Sequence, residues 1–357
     1  MDLSGIRGVH TFVQANTPSS QSIGDIWFEL GTSNKYIRIK KNGSYFWQNI
    51  LNYRIVGYGS SYGYSMGGYN GNYFSTVDRI TFPFNSGTAT HVGNLSDSRR
   101  YSTGCNSSNY GYSMGGTNSV YLSTIDRITF PFDSGTASHV GDLSEIKGGC
   151  AGCNSSNYGF CMGGHSSGYL STIDRITFPF DSGTTTHVGN LSGTRNLVAG
   201  CNSSNYGYCM GGCDGTNRLS PIDRITFPFN SGVASHVGNL SETNYQTTGC
   251  NSSNYGYIMG GCSFGDVSTV DRITFPFDSG TASHVGNLSL SRDVLIGCNS
   301  SNYGFSMGGH TATYVSVIDR ITFPFDSGTA SHLGNLSGSR GDDAGCDGTD
   351  FVSLFLN

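Results

Sequence analysis

Charged side chains are scarce in this 357-residue chain. They make up 12% of it, with 19 Lys and Arg against 24 Asp and Glu and a formal net charge of −5. That is about half the usual share. No Lys/Arg cluster exceeds a few residues, so there is no electrostatic footprint for nucleic acid. No apolar run reaches the ~18 residues of a membrane-spanning helix. The opening, MDLSGIRGVHTF, lacks the basic-then-apolar pattern of a secretory leader. No unique Asp/Glu pair, Ser/His/Asp set or phosphate-cradling glycine loop stands out. The expectation is a non-enzymatic protein with no cofactor and no metal.

What the chain has is repetition. Ser123–Ser144, STIDRITFPFDSGTASHVGDLS, returns almost letter for letter from Ser75, Ser171, Ser220, Ser268 and Ser316. A second phrase, NSSNYGYSMGG, alternates with it. Its Met-Gly-Gly falls at Met66, Met114, Met162, Met210, Met259 and Met307, at spacings of 48, 48, 48, 49 and 48 residues. Such a period, with a glycine pair in each strand-rich unit, points to an all-β propeller or a stacked array. The 53 glycines are periodic and mark turns and close packing rather than disorder. The 21 Tyr and 21 Phe suit strands.

Each unit of about 48 residues reads as four strands. Strand a carries Gly-Cys (103–106), strand b runs to Met-Gly-Gly (110–114), strand c spans 125–132 and strand d 137–143. Period-2 alternation puts Tyr110, Tyr112 and Met114 on one face of strand b and Gly111 and Ser113 on the other. On strand c, Asp126, Ile128, Phe130 and Phe132 share a face. Burying three such apolar side chains is worth roughly 5–9 kcal/mol per blade before chain entropy. Pro131 cannot donate to a ladder, so strand c is expected to end or bulge there. Asp133-Ser134-Gly135-Thr136 reads as the c–d turn. Six of the eleven cysteines, Cys105, Cys153, Cys201, Cys250, Cys298 and Cys346, hold one repeat position. They fall one per blade and read as small buried residues that do not pair. An odd cysteine total without a leader is the pattern of free thiols.

Counting units raises the question of closure. Six complete units run from 54 to 337. Residues 340–357 match strands a and b of a seventh, since Gly345-Cys346-Asp347 aligns with Gly104-Cys105-Asn106. A ring leaves no exposed strand edge. The expectation favours seven blades, the last completed by the N-terminal segment 1–53. The alternative is six blades plus an accessory N-terminal hairpin module.

Residues 1–53 stand outside the repeat. Three strand-like runs, 26–30, 35–41 and 45–50, are separated by 31–34 and by Asn42-Gly43, a hairpin signal. The only two tryptophans, Trp27 and Trp47, sit on the first and third runs, placed to stack over a small meander. Pro18, Gly24, Asp25, Trp27, Lys35, Asn42, Gly43 and Trp47 form a pattern that resembles a motif of bacteriophage tail-fibre and other virion proteins. The resemblance covers about 35 residues and implies attachment to the particle or oligomerisation. Residues 54–357 resemble kelch-repeat propellers, with Gly115-Gly116, Phe132-Asp133, Thr136 and Arg99 or Arg195 in the kelch places. The kelch Trp is replaced by His91, His139, His187, His236, His284 and His332. The junction Arg is Lys147 in one unit and Asn244 in another. The Tyr-Gly-Tyr and Ile-Asp-Arg-Ile repeats are also similar to those of structural proteins of aquatic bacteriophages.

Most polar repeats read as scaffold. One His per blade is spread around a ring, too dispersed for a common ion. Asp126 and Arg127 are strand neighbours that point to opposite faces, so each is expected to link to an adjacent strand or blade. What varies between units is more telling. The segments after the junction Arg differ from unit to unit, as do those after Met-Gly-Gly, while the NSSN and DSGT turns barely change. In a four-stranded meander the d–a and b–c connections emerge at one face and the other two turns at the opposite face. The variable segments are therefore the candidate ligand face. Its rings are Tyr69, Tyr101, His165, Tyr245, Phe264, His310 and Tyr314. Its polar residues are Asp214, Arg218, Asp266, Asp293 and Asp342.

The expected function is that of a phage virion structural protein, a tail fibre or capsid appendage, assembled in the host cytoplasm and then extracellular. Its propeller face would recognise a glycan or protein of the host surface. The N-terminal module would dock other virion proteins, and further copies of the chain are a candidate partner. Nucleic acid and a membrane span are not expected. A non-viral kelch-like interaction domain and a glycan-active propeller enzyme are the alternatives.

Overall fold

The computed structural model describes residues 61–348 throughout and, nearer the N-terminus, 11–14, 16–17, 26–29, 35–41 and 44–49. The chain divides into two compact units, Met1–Tyr58 and Gly59–Asn357. In the first, Thr11–Gln14, Ile26–Glu29, Lys35–Lys41 and Ser44–Asn49 form one four-stranded sheet in chain order. The first pair is parallel and the others are antiparallel. Trp27 is buried, stacked on Tyr36 at 4.5 Å and edge-on to Trp47 at 5.9 Å, and Arg38 lies over the Trp47 ring. The Asn42-Gly43 turn lies outside the described residues.

The second unit is a ring of six antiparallel sheets. Blade 2 is typical, with Thr103–Asn106, Tyr110–Met114, Thr124–Thr129 and Ser138–Asp142 as strands a to d from the axis outward. Strand c stops ahead of Phe130-Pro131, as the missing donor requires. Blades 3 to 6 repeat this order from Ala151, Ala199, Thr248 and Ile296. Blade 1 takes strands b, c and d from Tyr62–Met66, Thr76–Thr81 and Thr90–Asn94, and strand a from the far end of the repeats, Ala344–Gly348.

The seven-blade expectation is thus wrong. The half-unit at 344–348 does not begin a seventh blade; it is the innermost strand of the first. Its partner is Tyr62–Met66, with Cys346 opposite Tyr64, and the described N-terminal strands pair only among themselves. The ring closes on its outer edge too. Each c–d turn bridges to strand d of the blade before it, as Thr136 does to Asn94 and Thr184 to Asp142. Gly87–Thr88 of blade 1 does the same for Ser331–Asn335 of blade 6.

The core lies between sheets rather than within them. One buried cluster joins Tyr64, Met66, Val77 and Cys346 of blade 1 to Ile128, Phe130 and Ala137 of blade 2. At each interface an aromatic of strand b stacks on the Phe after strand c of the next blade. Tyr112 lies 5.4 Å from Phe178, and its hydroxyl accepts the Phe180 N–H at 3.1 Å. The paired residues Asp126 and Arg127 also reach across blades. Buried Asp126 accepts from Ser96 N–H and Oγ and from Arg99 Nη2 at 3.0 Å, and Arg127 binds Asp181. A charge taken out of water needs such a full partner set. The serine of each Asn-Leu-Ser therefore has a structural partner. The repeat histidines sit half-exposed on the outer strands, His91 Nδ1 being 3.8 Å from Asp78.

Strands a converge until only glycine fits. A Cβ on Gly200 would lie 2.1 Å from the Gly152 carbonyl oxygen, and one on Gly152 2.0 Å from that of Gly104. The series continues through Gly249, Gly297 and Gly345 and back to Gly104. The alternate residue on each strand a is the repeat cysteine, buried and free, as are all but two of the other five; Cys213 and Cys262 are half-buried. Each repeat thiol faces the strand b glycine of the next blade, as Cys105 faces Gly159. Gly200→Ala is expected to destabilise the protein by roughly 1–3 kcal/mol or more, the cost of overpacking. Gly193→Ala, at a site open to solvent, should change the denaturation midpoint little. Equal midpoints for the two variants would remove the steric role of the ring.

At the end of strand a, Asn106, Asn154, Asn202 and Asn251 each donate their N–H to the side-chain oxygen of the next blade's asparagine, at 3.0–3.3 Å. Asn299 donates instead to Asp347 at 2.6 Å. Burial pushes the Asp347 carboxyl up to about 7. Its neutral form is therefore favoured in the fold. The stability it contributes is complete below about pH 4, the unfolded value, and is lost as pH rises through about 7. Asp347→Asn restores the residue of the other five blades. The wild type should lose melting temperature relative to this variant between about pH 4 and 7. A difference that stays constant over that range would mean Asp347 is already ionised in the fold.

Candidate functional site

The two variable segments of each unit are sewn together by backbone hydrogen bonds. Gly148 exchanges both its bonds with His165, Asn196 with Cys213, and Asp293 with His310. Each b–c loop is also closed on itself, His165 opposite Tyr169 and Cys262 opposite Asp266. The d–a and b–c segments therefore occupy one face, where the meander places them. On the other face Ser155 Oγ accepts the N–H groups of Asn157 and Tyr158, a turn written almost identically in each unit.

Around the axis on the variable face, six residues close a ring of their own. Each N–H of Tyr101, Gly149, Leu197, Gln246, Val294 and Asp342 donates to the carbonyl of the member before it, at 2.6–2.9 Å. All six have positive φ, from 50° at Val294 to 70° at Gly149. That conformation is costly for a β-branched residue and persists only where the surroundings fix it. Beneath the ring is an axial cavity of about 120 Å³, lined also by the strand a glycines. It is well below the roughly 300–1,000 Å³ of a small-molecule pocket. Outside this ring stand the side chains of the b–c loops and the junctions.

Those side chains meet across blades in three sectors. Tyr314 of blade 6 meets Tyr69 of blade 1 at 5.9 Å, and Tyr69 packs on Tyr73 at 5.1 Å. The Arg100 guanidinium lies 4.3 Å over Tyr69 and 4.6 Å over Tyr101, with Asp342 at 4.0 Å. Tyr121 bonds His165 Nδ1 at 2.8 Å, and His165 is edge-on to Tyr169. Arg218 lies over Phe264 and Tyr245 at 4.9 and 5.8 Å. His310 packs on Tyr314 at 4.9 Å, and its Nδ1 is 3.7 Å from Asp293.

The expected site residues divide accordingly. Tyr69, Tyr101 and Tyr314 join one sector with His310. His165 belongs to the next, on blades 2 and 3, and Arg218, Tyr245 and Phe264 to a third. Phe264 is 93% exposed. Asp342 and Asp293 are buried and line the floor of the face. Burial pushes the Asp342 carboxyl well up, against the pull of Arg100. Burial, helped by Asp266, raises Asp293 to about 6. Asp214 is held low by the Asn217 and Thr216 N–H groups, so its carboxylate shapes its own loop. Tyr73, Arg100, Tyr121, Tyr169 and Cys262 were absent from the expected set. Aligning the units on the loop-closing and junction positions picks out all five.

Arg100→Ala is expected to loosen the first sector without unfolding the ring. Burial and the negative groups of Asp342, Tyr314 and Asp293 push the Tyr101 phenol up, against the pull of Arg100. The variant should raise the Tyr101 titration further, read from tyrosinate absorbance against a Tyr101→Phe reference. An unchanged titration would mean that Arg100 does not act on that ring, and a lowered one that its shielding of the ring from water outweighs its charge.

Among the described residues no helix is long and apolar enough to cross a membrane. No protein-family model matches the chain, and no curated protein matches it.

Proposed function

We propose that the propeller is a non-enzymatic recognition module that presents its variable face to a host-surface glycan, as part of a bacteriophage particle. The observation that carries this reading is where the differences between units fall. They are concentrated on one face, where their side chains meet across blades in three sectors, whereas the DSGT turn of the opposite face changes only at Asn85, Asn230 and Val233. Neutral drift would have altered the NSSN and DSGT turns as much.

The sector around Arg100 is the favoured contact. Tyr69, Tyr73 and Tyr314 supply rings that can stack on the apolar face of a sugar. Arg100 supplies a planar cation for a carboxylate of an acidic sugar. A shallow patch of this kind binds weakly, and several copies on one particle would raise avidity. The virion setting rests on the tail-fibre-like pattern from Pro18 to Trp47. Its buried Trp27, packed between Tyr36 and Trp47, supports a small sheet formed by that segment itself.

Mass spectrometry of purified virions tests the setting, and a glycan array tests the face. Tyr69→Ala and Arg100→Ala should each lower array binding at least tenfold, while Ser155→Ala should leave it unchanged. Turnover of a bound glycan would replace this reading with a glycan-active enzyme. Loss of binding in Ser155→Ala alone would move recognition to the opposite face.

A further inference from the structure

Blade 5 places two carboxylates among three positions at which no other blade has one. The loop-closing pair and the following junction residue are Tyr69, Tyr73 and Arg100 in blade 1, and Thr117, Tyr121 and Gly148 in blade 2. In blade 4 they are Cys213, Arg218 and Tyr245. In blade 5 they are Cys262, Asp266 and Asp293, whose thiol and carboxylate oxygens all lie within 4.8 Å of one another. We propose that these three side chains bind a divalent transition-metal ion of the zinc type, on the variable face where blades 5 and 6 meet.

Each donor stands on a fixed backbone. Cys262 is paired with Tyr245, Asp266 with Cys262 across the loop, and Asp293 with His310 by bonds of 3.0 and 2.9 Å. Asp293 supplies an independent sign of a missing partner. It is 9% exposed, and its Oδ1 is buried with no hydrogen-bond partner. A buried carboxylate oxygen left in this way carries the cost of desolvation without compensation. The neighbouring imidazole nitrogen, His310 Nδ1, stops 3.7 Å from that oxygen. A metal ion would supply the missing interaction.

One thiolate with two carboxylates selects zinc or cobalt over magnesium and calcium, which take oxygen alone. Ligand atoms of a tetrahedral zinc site stand roughly 3.3–3.7 Å apart, given bond lengths of about 2.0–2.3 Å. Closing from 4.8 Å needs rotation of Cys262 and Asp266, which are half-buried and exposed. Binding transfers the Cys262 thiol proton to solvent and forms a sulfur–metal bond. Three protein donors leave a fourth coordination position on the exposed side.

The test uses the full chain, stripped with chelator and titrated with Co²⁺ as a spectroscopic probe and with Zn²⁺ by calorimetry. One Co²⁺ per chain should give a thiolate-to-cobalt absorption band that Zn²⁺ displaces. Cys262→Ser should abolish the band, and Asp293→Asn should weaken binding at least tenfold. Asp293→Asn should also raise the melting temperature of the metal-free protein, since it removes a buried carboxylate whose Oδ1 lacks a hydrogen-bond partner; a merely structural carboxylate would give a fall. Cys213→Ser, the same position in blade 4, should leave band and affinity unchanged. The site is overturned if no band forms, if the band survives Cys262→Ser, or if Asp293→Asn binds as tightly as the wild type.

Discussion

A Cβ on the glycine before the repeat cysteine of any inner strand would lie 2.0–2.3 Å from the carbonyl oxygen of the blade before it. The six backbones therefore meet around the axis at a distance that no other residue permits, and each blade's position is set by its neighbour's. The other repeated contacts follow from that closeness. The thiol beside each glycine reaches the next blade, as does the stacked aromatic of strand b, and the buried Arg–Asp pairs span the same seams. A single sheet would expose most of its apolar side chains, so a blade has little stability of its own. The ring is the cooperative unit.

The seams are not all equal. Arg99, Arg195, Arg292 and Arg340 each meet the buried aspartate of the following blade at 2.9–3.0 Å, and Lys147 does so at 3.4 Å. Between blades 4 and 5 the cation is absent. Asn244 bonds the Gly260 carbonyl and leaves its own Oδ1 unpaired. Asp271 keeps the two bonds from Ser241. This is also the blade whose loop carries Cys262 and Asp266. The missing seam cation and the loop carboxylate thus fall in one sector, while the axial ring of left-handed residues holds all six d–a segments in the same place regardless of side chain.

Strand order, strand ends and the face of variation were legible in the sequence because they depend on local rules repeated six times. Closure was not, because it depends on which ends meet. Residues 340–357 look like the start of another unit only if unit 1 is assumed to own a strand a. The sequence carries a signal against that. Gly-Cys-Asn or Gly-Cys-Asp fills the strand a position six times, and the aligned place in unit 1 reads Val56-Gly57-Tyr58. Six inner-strand cysteines and six Met-Gly-Gly phrases count six blades. The three sectors were half legible. Their face follows from the meander, but the contacts of Arg100 with Tyr69 and of Cys262 with Asp293 cross from one unit to another. They depend on how a loop registers against the next junction, which no single repeat records.

Inner strand 344–348 and its partner 62–66 join the two ends of the repeat array. Near-identical units invite recombination, which deletes or duplicates one unit at a time. A chain with five or seven units would still bring matching ends together, since every inner strand fits every second strand. Its central backbones would then have to meet at a different angle, with the glycine contacts strained in one case and gapped in the other. The axis acts as a gauge of copy number. Single-residue change on the variable face passes it freely, and gain or loss of a whole unit does not, so diversity in such a protein is expected to accumulate blade by blade within a constant count.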